Sequence, residues 1–115
     1  MGETFITLPS GVEYKDIETG KGLDARPGDV VSVHYKASMI GGEEFDNSYT
    51  DNEPFTFELG AAQVVPGLEE AIVHMNVGGK RIIRVPANRG YGDVEIGSIP
   101  ANSDLEFEVE LLDIE

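Results

Sequence analysis

The architecture can be predicted outward from one segment, Pro66-Gly67-Leu68-Glu69-Glu70-Ala71-Ile72-Val73-His74-Met75, because its apolar residues follow the helical period. Four of them fall at positions i, i+3, i+4 and i+7, namely Leu68, Ala71, Ile72 and Met75. Pro66 occupies a favourable first helical position, and Asn76-Val77-Gly78-Gly79 is expected to supply the left-handed residue that ends the helix. The segment therefore predicts one short amphipathic helix.

The rest of the chain is cut by turn residues into short β-branched, aromatic or alternating runs. These runs predict five or six antiparallel strands, at Val12 to Ile17, Val30 to Met39, Phe55 to Leu59, Arg81 to Val85 and Leu105 to Ile114. A helix with one apolar stripe and a sheet with one apolar face can bury both surfaces in a single core. The predicted fold class is α+β, with an antiparallel β-sheet of five to six strands wrapped around one short amphipathic helix.

The last predicted strand has a charged face. Glu106, Glu108 and Glu110 alternate with apolar residues, so the three carboxylates share one side of the strand. The basic segment Lys80 to Arg84 is the expected neighbour, because opposite charges across a strand pair are favourable. Glutamates that are simply solvated remain an equal alternative.

Composition excludes several classes of function. The 115 residues carry 22 acidic and 8 basic side chains, a net charge of −14, which repels phosphate backbones and anionic lipids. The absence of cysteine excludes disulfides, thiolate nucleophiles and zinc-thiolate sites. We therefore expect no nucleic-acid partner and no membrane partner.

Length and the N-terminal sequence bear on organisation and location. The predicted arrangement is one domain over residues 10–115, preceded by an extension of residues 1–9, and a monomer. No apolar run approaches the roughly 20 residues that cross a bilayer, and Met1 to Gly11 lacks the features of a signal peptide. The expected location is therefore cytoplasmic.

One polar segment resembles the start of a calcium-binding loop, with potential ligands at Asp46, Ser48, Thr50 and Asn52. Asp51 replaces the glycine of position six, and Phe57 replaces the bidentate glutamate of position twelve. A polar surface turn is the better interpretation, so no metal and no cofactor is predicted. The two histidines, His34 in a strand and His74 at the end of the helix, are given structural roles.

Aromatic and β-branched residues are concentrated beside the turns, at Tyr35, Phe45, Phe55, Val64, Val65, Tyr91, Ile99 and Phe107. Most such residues belong to a core. However, Tyr91 lies between two glycines, and Asp46 directly follows Phe45, so polar groups flank an apolar set. An apolar pocket with a few directed polar groups is the usual form of a small-ligand site.

These motifs and their order resemble the tacrolimus-binding immunophilins, which are FKBP-type peptidyl-prolyl cis-trans isomerases, from about Ser10 to the C-terminus. The resemblance is carried by Val31-Ser32-Val33-His34-Tyr35, Phe45-Asp46-Asn47-Ser48, Val64-Val65-Pro66-Gly67-Leu68, Gly90-Tyr91-Gly92, Ile99-Pro100 and Leu105-Glu106-Phe107-Glu108-Val109. It implies the fold predicted above, and a cofactor-free isomerase that rotates X–Pro bonds in proline-containing polypeptides and so assists protein folding.

The resemblance also implies the site residues. Catalytic roles fall to Tyr35, Phe45, Asp46, Tyr91 and Phe107, and contacts with substrate or inhibitor to Phe55, Val64, Val65, Leu68 and Ile99. The Tyr91 hydroxyl and the Val65 N–H would each hold a carbonyl, and Asp46 would lie at the edge of the pocket. Macrolides of the tacrolimus or rapamycin type are the implied inhibitors.

Three positions depart from the family pattern. Leu68 replaces the usual tryptophan floor and removes an aromatic face, which weakens the expectation of macrolide affinity. Asp51 replaces an arginine able to pair with Asp46, and Ser98 stands where an apolar residue is common. Too few residues separate Tyr91 from Ile99 to hold the chaperone insert of one subclass. The alternative function is a catalytically weak binding module or holdase of the same fold.

Overall fold

The computed structural model describes residues 5–97 and 99–115. The strands in this part of the chain are β1 (Ile6–Thr7), β2 (Glu13–Glu18), β3 (Val30–Met39), β4 (Glu44–Asn47), β5 (Phe55–Glu58), β6 (Lys80–Val85) and β7 (Leu105–Ile114). The helices are α1 (Ser48–Asp51) and α2 (Pro66–Ile72), and a 3₁₀ turn covers Ala87–Arg89. The α+β class is confirmed, and the described residues form seven strands where the sequence predicted five or six.

All strand pairs are antiparallel, in the order β1-β2-β6-β7-β3-β4, with β5 also paired to β3. Strand β3 presents one edge to two partners in succession, because its residues 30–33 pair with β5 and its residues 36–38 pair with β4. Register shifts at Ser32/Val33 and at Ala37/Ser38 interrupt its pairing. Such irregularities bend a strand and increase its twist, which helps the sheet to curl over α2.

The predicted pairing of β6 with β7 is confirmed, and an ion pair across the two strands is seen at Glu106. Arg84 lies opposite Glu106 with an N–O distance of 3.1 Å, and Lys80 lies opposite Glu110. Arg81 points to the other face, where it is buried, and its guanidinium donates to Asp16 at 2.7 Å and to the Ala71 carbonyl at 2.8 Å. The basic segment is therefore divided between the two faces of the sheet by strand alternation.

Helix α2 packs its apolar stripe on the concave face of the sheet, where Leu68, Ala71 and Ile72 are buried. Gly67 allows this close approach, since a Cβ atom there would lie 2.6 Å from Cγ1 of Val85. The helix is consequently placed by a contact that no larger residue could make without a shift of backbone or neighbour.

The predicted end of the helix is wrong. Helix α2 ends at Ile72 instead of Met75, and the left-handed residue that follows is His74, with φ of 73°. The reason is a tertiary one: the His74 N–H donates to the Ala25 carbonyl at 2.7 Å, and the Ala25 N–H donates to Met75 at 2.8 Å. Hydrogen bonds to a distant loop replace the last helical turn, and Gly78 serves the turn into β6 instead.

Four short elements were not predicted, namely β1, β4, α1 and the 3₁₀ turn. The polar segment that resembled a calcium loop forms α1, whose N-cap Asn47 accepts a hydrogen bond from the Tyr49 N–H at 2.9 Å. β1 lies within the predicted N-terminal extension, and its residues 6 and 7 pair with β2. Elements of two to four residues are too short to show a hydrophobic period.

Candidate functional site

A cavity of about 180 Å³ opens between the concave face of the sheet and the start of α2. Strands β3, β5 and β7 form its walls, β4 and the turn at residue 91 form its edge, and residues 63–65 and 68 close one side. Its lining is mostly apolar, from Val33, Tyr35, Ala37, Phe45, Phe55, Phe57, Val64, Val65, Leu68, Phe107 and Val109, with Asp46, Gln63 and Tyr91 as the polar members.

Aromatic rings wall the cavity because alternate residues of each strand face it. The Tyr35 and Phe55 rings meet edge to face, with centroids 6.2 Å apart, and Phe55 stacks on Phe57 at 5.2 Å. Phe107 is buried on β7, whereas Phe55 is 39% exposed. The walls are therefore anchored in the core at one end and open to solvent at the other, as a site for a small apolar group requires.

One polar pair marks the edge of the cavity. The Tyr35 hydroxyl donates a hydrogen bond of 2.5 Å to Oδ2 of Asp46. Partial burial, and then this hydrogen bond to a carboxylate, raise the pKa of Tyr35 well above its ordinary value. The hydroxyl consequently stays protonated at neutral pH and holds the Asp46 carboxylate in one orientation.

Two further donors are free to receive a ligand. The Val65 N–H and the Tyr91 hydroxyl donate to no group within residues 5–97 and 99–115, and both residues line the cavity. The first turn of α2 leaves the Val65 amide unpaired, since only the Val65 carbonyl takes part, accepting from Leu68 and Glu69. Two donors at an apolar cavity can hold two carbonyl oxygens of an extended chain.

The structure brings together nine of the ten site residues proposed from the sequence. The exception is Ile99, which is 5% exposed and packs in the core without lining the cavity. Its role as a contact residue stays a prediction. Each of the other nine contributes to the lining, and their chemical roles remain proposals.

Sequence reasoning missed five lining residues. Four of them carry a periodic signal: Val33 and Ala37 flank Tyr35 at intervals of two, Phe57 follows Phe55, and Val109 follows Phe107. The fifth, Gln63, lies in a loop, and its Oε1 accepts a hydrogen bond from the Glu58 N–H at 2.9 Å. No local pattern points to a loop glutamine.

The three departures from the family pattern have different positions. Leu68 forms an aliphatic floor and is 8% exposed. Asp51 is the last residue of α1, and Ser98 lies outside the described residues.

His34 lies behind the cavity, on the outer face of β3. Its Nδ1 is 2.9 Å from Oγ of Ser48, and its ring stacks on Tyr49 with centroids 4.4 Å apart. His74 is exposed, with Nδ1 3.7 Å from Oδ2 of Asp24. Both contacts are structural and neither histidine lines the cavity.

Across the described ranges, no group of three or more acidic or histidine side chains is arranged to hold a metal ion, and no helix could span a membrane.

Comparison with known proteins gives one consistent family. The family profile described as FKBP-type peptidyl-prolyl cis-trans isomerase matches residues 21–112. The chain is 43% identical, over 108 residues, to the FKBP-type peptidyl-prolyl cis-trans isomerase FkpA of Escherichia coli K12, covering 94% of this chain and 39% of that protein. It is 48% identical, over 94 residues, to FK506-binding protein 2 of Candida glabrata, covering 80% of this chain and 69% of that protein.

Solved structures agree with the sequence relatives. The crystal structure of FkpA from Escherichia coli superposes with a TM-score of 0.89 at 41% identity, over 96% of this chain and 51% of that one. The crystal structure of AtFKBP13 superposes with a TM-score of 0.90 at 32% identity, over 97% of this chain and 99% of that one. The chain thus spans about two-fifths of FkpA and nearly all of AtFKBP13.

Proposed function

Because the chain belongs to the FKBP-type peptidyl-prolyl cis-trans isomerase family, we propose that its aromatic cavity catalyses rotation about X–Pro bonds in flexible polypeptides. The observation that carries this proposal is the coincidence of an apolar cavity of about 180 Å³ with two unpaired donors and one oriented carboxylate. Such a cavity fits a proline ring, and the polar groups fit the peptide carbonyls beside it.

The reaction needs no covalent chemistry. Resonance of the amide gives the bond a rotational barrier of roughly 18 to 20 kcal/mol, and the uncatalysed step takes about 10 to 100 s. In the twisted state the C–N bond loses double-bond character and the carbonyl is less polarised. A dry aromatic cavity disfavours the planar, more polar ground state relative to that twisted state, which lowers the barrier.

The positions of the lining residues support the roles that we propose for them. Tyr35, Phe45 and Phe107 supply the apolar walls, and the Val65 N–H and Tyr91 hydroxyl hold the chain on either side of the proline. Asp46, oriented by the Tyr35 hydroxyl at the edge of the cavity, is proposed to interact with the twisted carbonyl. Phe55, Val64 and Leu68 contact the proline ring and its neighbours without acting on the bond itself.

The test is NMR exchange spectroscopy on a blocked Leu-Pro peptide, which measures interconversion of the two isomers directly. We expect catalysed exchange with the wild-type protein, no loss of it in the Glu18→Gln variant on β2, and a marked loss in the Asp46→Asn variant. Tacrolimus in excess should abolish the exchange. Absence of catalysis by a folded sample would overturn the proposal, and line broadening of the peptide without exchange would indicate a binding module or holdase.

The partners and the location of the protein are also proposals. Proline-containing polypeptides are the proposed substrates. Macrolides of the tacrolimus or rapamycin type are the proposed inhibitors. The name of one relative, FK506-binding protein 2, supports the choice of inhibitor. Leu68 lowers the expected macrolide affinity. The monomeric state, the cytoplasmic location, and the division between residues 1–9 and 10–115 stay predictions from the sequence.

A further inference from the structure

We infer that the ion pair between Glu70 of α2 and Arg89 of the 3₁₀ turn positions Tyr91 for the isomerase reaction. This inference rests on the proposed function, because it concerns the spacing of the two donors that are proposed to hold the substrate. Neither Glu70 nor Arg89 lines the cavity. Their role is therefore to position another residue and not to touch the substrate.

The segment around Tyr91 has a backbone conformation that its own residues specify weakly. Tyr91 stands between Gly90 and Gly92, and glycine adopts a wider range of backbone angles than other residues. Gly92 uses this freedom, since its φ is 66°. The direction of the Tyr91 side chain consequently depends on contacts that hold the segment from outside.

Hydrogen bonds hold one side of this segment to the sheet. The Ala87 carbonyl accepts from the N–H groups of Gly90 and Gly92, at 3.0 and 2.7 Å. The Ala87 N–H donates to Oδ1 of Asp104 at 3.0 Å, and Asp104 directly precedes β7. These contacts fix the segment relative to β7, but they do not connect it to the helix.

The connection to the helix is made by one pair of side chains. Nη2 of Arg89 donates to Oε2 of Glu70, and the Ser10 hydroxyl donates to Oε1 of the same carboxylate at 2.7 Å. Within residues 5–97 and 99–115, the Arg89 contact is the only hydrogen bond between α2 and residues 87–92. Because both of its oxygens are engaged, the Glu70 carboxylate is held in one orientation toward Arg89.

The environment of the guanidinium shows that Arg89 depends on this partner. About a third of each side chain of the pair is exposed. Nε of Arg89 is buried and has no hydrogen-bond partner in the part of the chain that the structure describes. A buried donor without a partner is unfavourable, because it has lost its hydration without compensation. The ion pair with Glu70 offsets this loss, so removing either partner should release Arg89 from its place.

The two elements that this ion pair joins carry the two donors of the site. The Val65 N–H lies at the N-cap of α2, and Tyr91 lies two residues after Arg89. The hydrogen-bonded backbone of α2 is stiff, so the position of Glu70 is tied to that of Val65. The ion pair therefore sets the spacing between the Val65 N–H and the Tyr91 hydroxyl, and misplaced binding groups lower the rate of a reaction.

A double-mutant cycle measures this positioning role. Arg89→Met removes the charge while keeping an aliphatic side chain, and Tyr91→Phe removes only the hydroxyl that is positioned. NMR exchange on the blocked Leu-Pro peptide gives kcat/KM for the wild type, both single variants and the double variant. We expect Arg89→Met to lower kcat/KM about threefold when the Tyr91 hydroxyl is present, and less than about 1.5-fold in the Tyr91→Phe background. A residue that only stabilised the fold would act equally in both backgrounds.

Two further variants control the experiment. Arg84→Met breaks the pair with Glu106, whose side chains are 40% and 34% exposed against 35% and 31% for Arg89 and Glu70, and Arg84 does not line the cavity. It should leave kcat/KM within about 1.5-fold of the wild-type value. Glu70→Met removes the acceptor of Arg89 from the side of the helix, and it should reproduce the dependence on the Tyr91 hydroxyl even where Arg89→Met fails to fold.

The outcomes separate this inference from the proposed function. Equal factors for Arg89→Met and for Glu70→Met with and without the Tyr91 hydroxyl would overturn the positioning role and leave the isomerase function in place. A loss in Arg84→Met as large as that in Arg89→Met would also overturn it, because the loss would then follow from stability. If the folded wild-type protein does not accelerate exchange, the proposed function itself fails, and the positioning role fails with it.

Discussion

Replacing Leu68 with tryptophan tests the floor of the cavity directly, and we expect it to tighten tacrolimus binding about two- to tenfold. Leu68 is 8% exposed and faces a cavity of about 180 Å³, so a larger side chain can extend into open space. The change adds an aromatic face beneath the proline-like ring of the ligand. Overpacking a filled core costs about 1–3 kcal/mol, but a residue that borders a void avoids most of that strain.

The magnitude follows from the contact that the indole would add. A favourable aromatic contact is worth about 0.5–1.5 kcal/mol beyond the area it buries. Since about 1.4 kcal/mol corresponds to a factor of ten in Kd, the expected gain lies between about twofold and about tenfold. The L68M variant, which roughly conserves volume and adds no ring, should bind tacrolimus as the wild type does.

Calorimetric titration of the three proteins measures the affinities, and fluorescence adds a local signal. The sequence contains no tryptophan, so the introduced indole in L68W would be the sole tryptophan and would report on the cavity alone. Equal or weaker binding by an L68W protein with a normal urea midpoint would refute the reasoning. An indole whose emission does not respond to the ligand would show that position 68 does not face it.

Three further predictions concern the cavity and the core. Asp46→Asn and Tyr91→Phe should each lower kcat/KM several-fold with little change in the urea midpoint, as expected for lost hydrogen bonds worth about 1 kcal/mol; unchanged exchange rates in both variants would contradict the site. Arg81→Met should destabilise the fold by about 2–3 kcal/mol in urea unfolding, because a buried carbonyl and a carboxylate lose their donor; a loss below about 0.5 kcal/mol would argue against that network. Burial and hydrogen bonds to carboxylates raise the pKa of the Tyr35 and Tyr49 hydroxyls above 10.0. The stability that these two hydroxyls contribute is therefore complete below pH 10.0 and is lost as the pH rises above that value. In alkaline titrations followed by circular dichroism, the Tyr35→Phe/Tyr49→Phe variant should lose less unfolding free energy above about pH 10 than the wild type, and equal losses would contradict this assignment.

The long elements could be predicted from the sequence because each repeats its pattern several times. The predicted bounds of β3 and β7, Val30–Met39 and Leu105–Ile114, coincide with those in the structure. The end of α2 could not be predicted, because it depends on hydrogen bonds to Ala25, about fifty residues earlier in the chain. Strand β4 depends in the same way on its pairing with β3, and α1 on a single capping side chain.

The residues of the candidate site likewise fall into those that a sequence pattern could predict and those that depend on the folded structure. Alternation could have placed Phe57 and Val109 beside their neighbours in the cavity, since each lies two residues from a proposed site residue. It could not separate residues that line the cavity from residues that only pack in the core, and the contact role of Ile99, which is buried beside a turn, stays a prediction. Gln63 lies in the lining, and its side chain accepts a hydrogen bond from the Glu58 N–H, a contact that only the folded loop makes.

The register of β3 links the two faces of the sheet and explains why the site depends on residues that do not line it. Val33, Tyr35 and Ala37 line the cavity while His34 lies on the outer face, so a slip of one residue would exchange an aromatic wall for a polar one. Oγ of Ser48 fixes this register from behind, because it accepts a hydrogen bond from the Tyr35 N–H at 2.7 Å and lies 2.9 Å from His34. Since Ser48 directly follows β4, the same contacts place Asp46 within reach of the Tyr35 hydroxyl. The contacts of Ser48 on the far side of the sheet therefore support the hydrogen bond by which Tyr35 orients the Asp46 carboxylate.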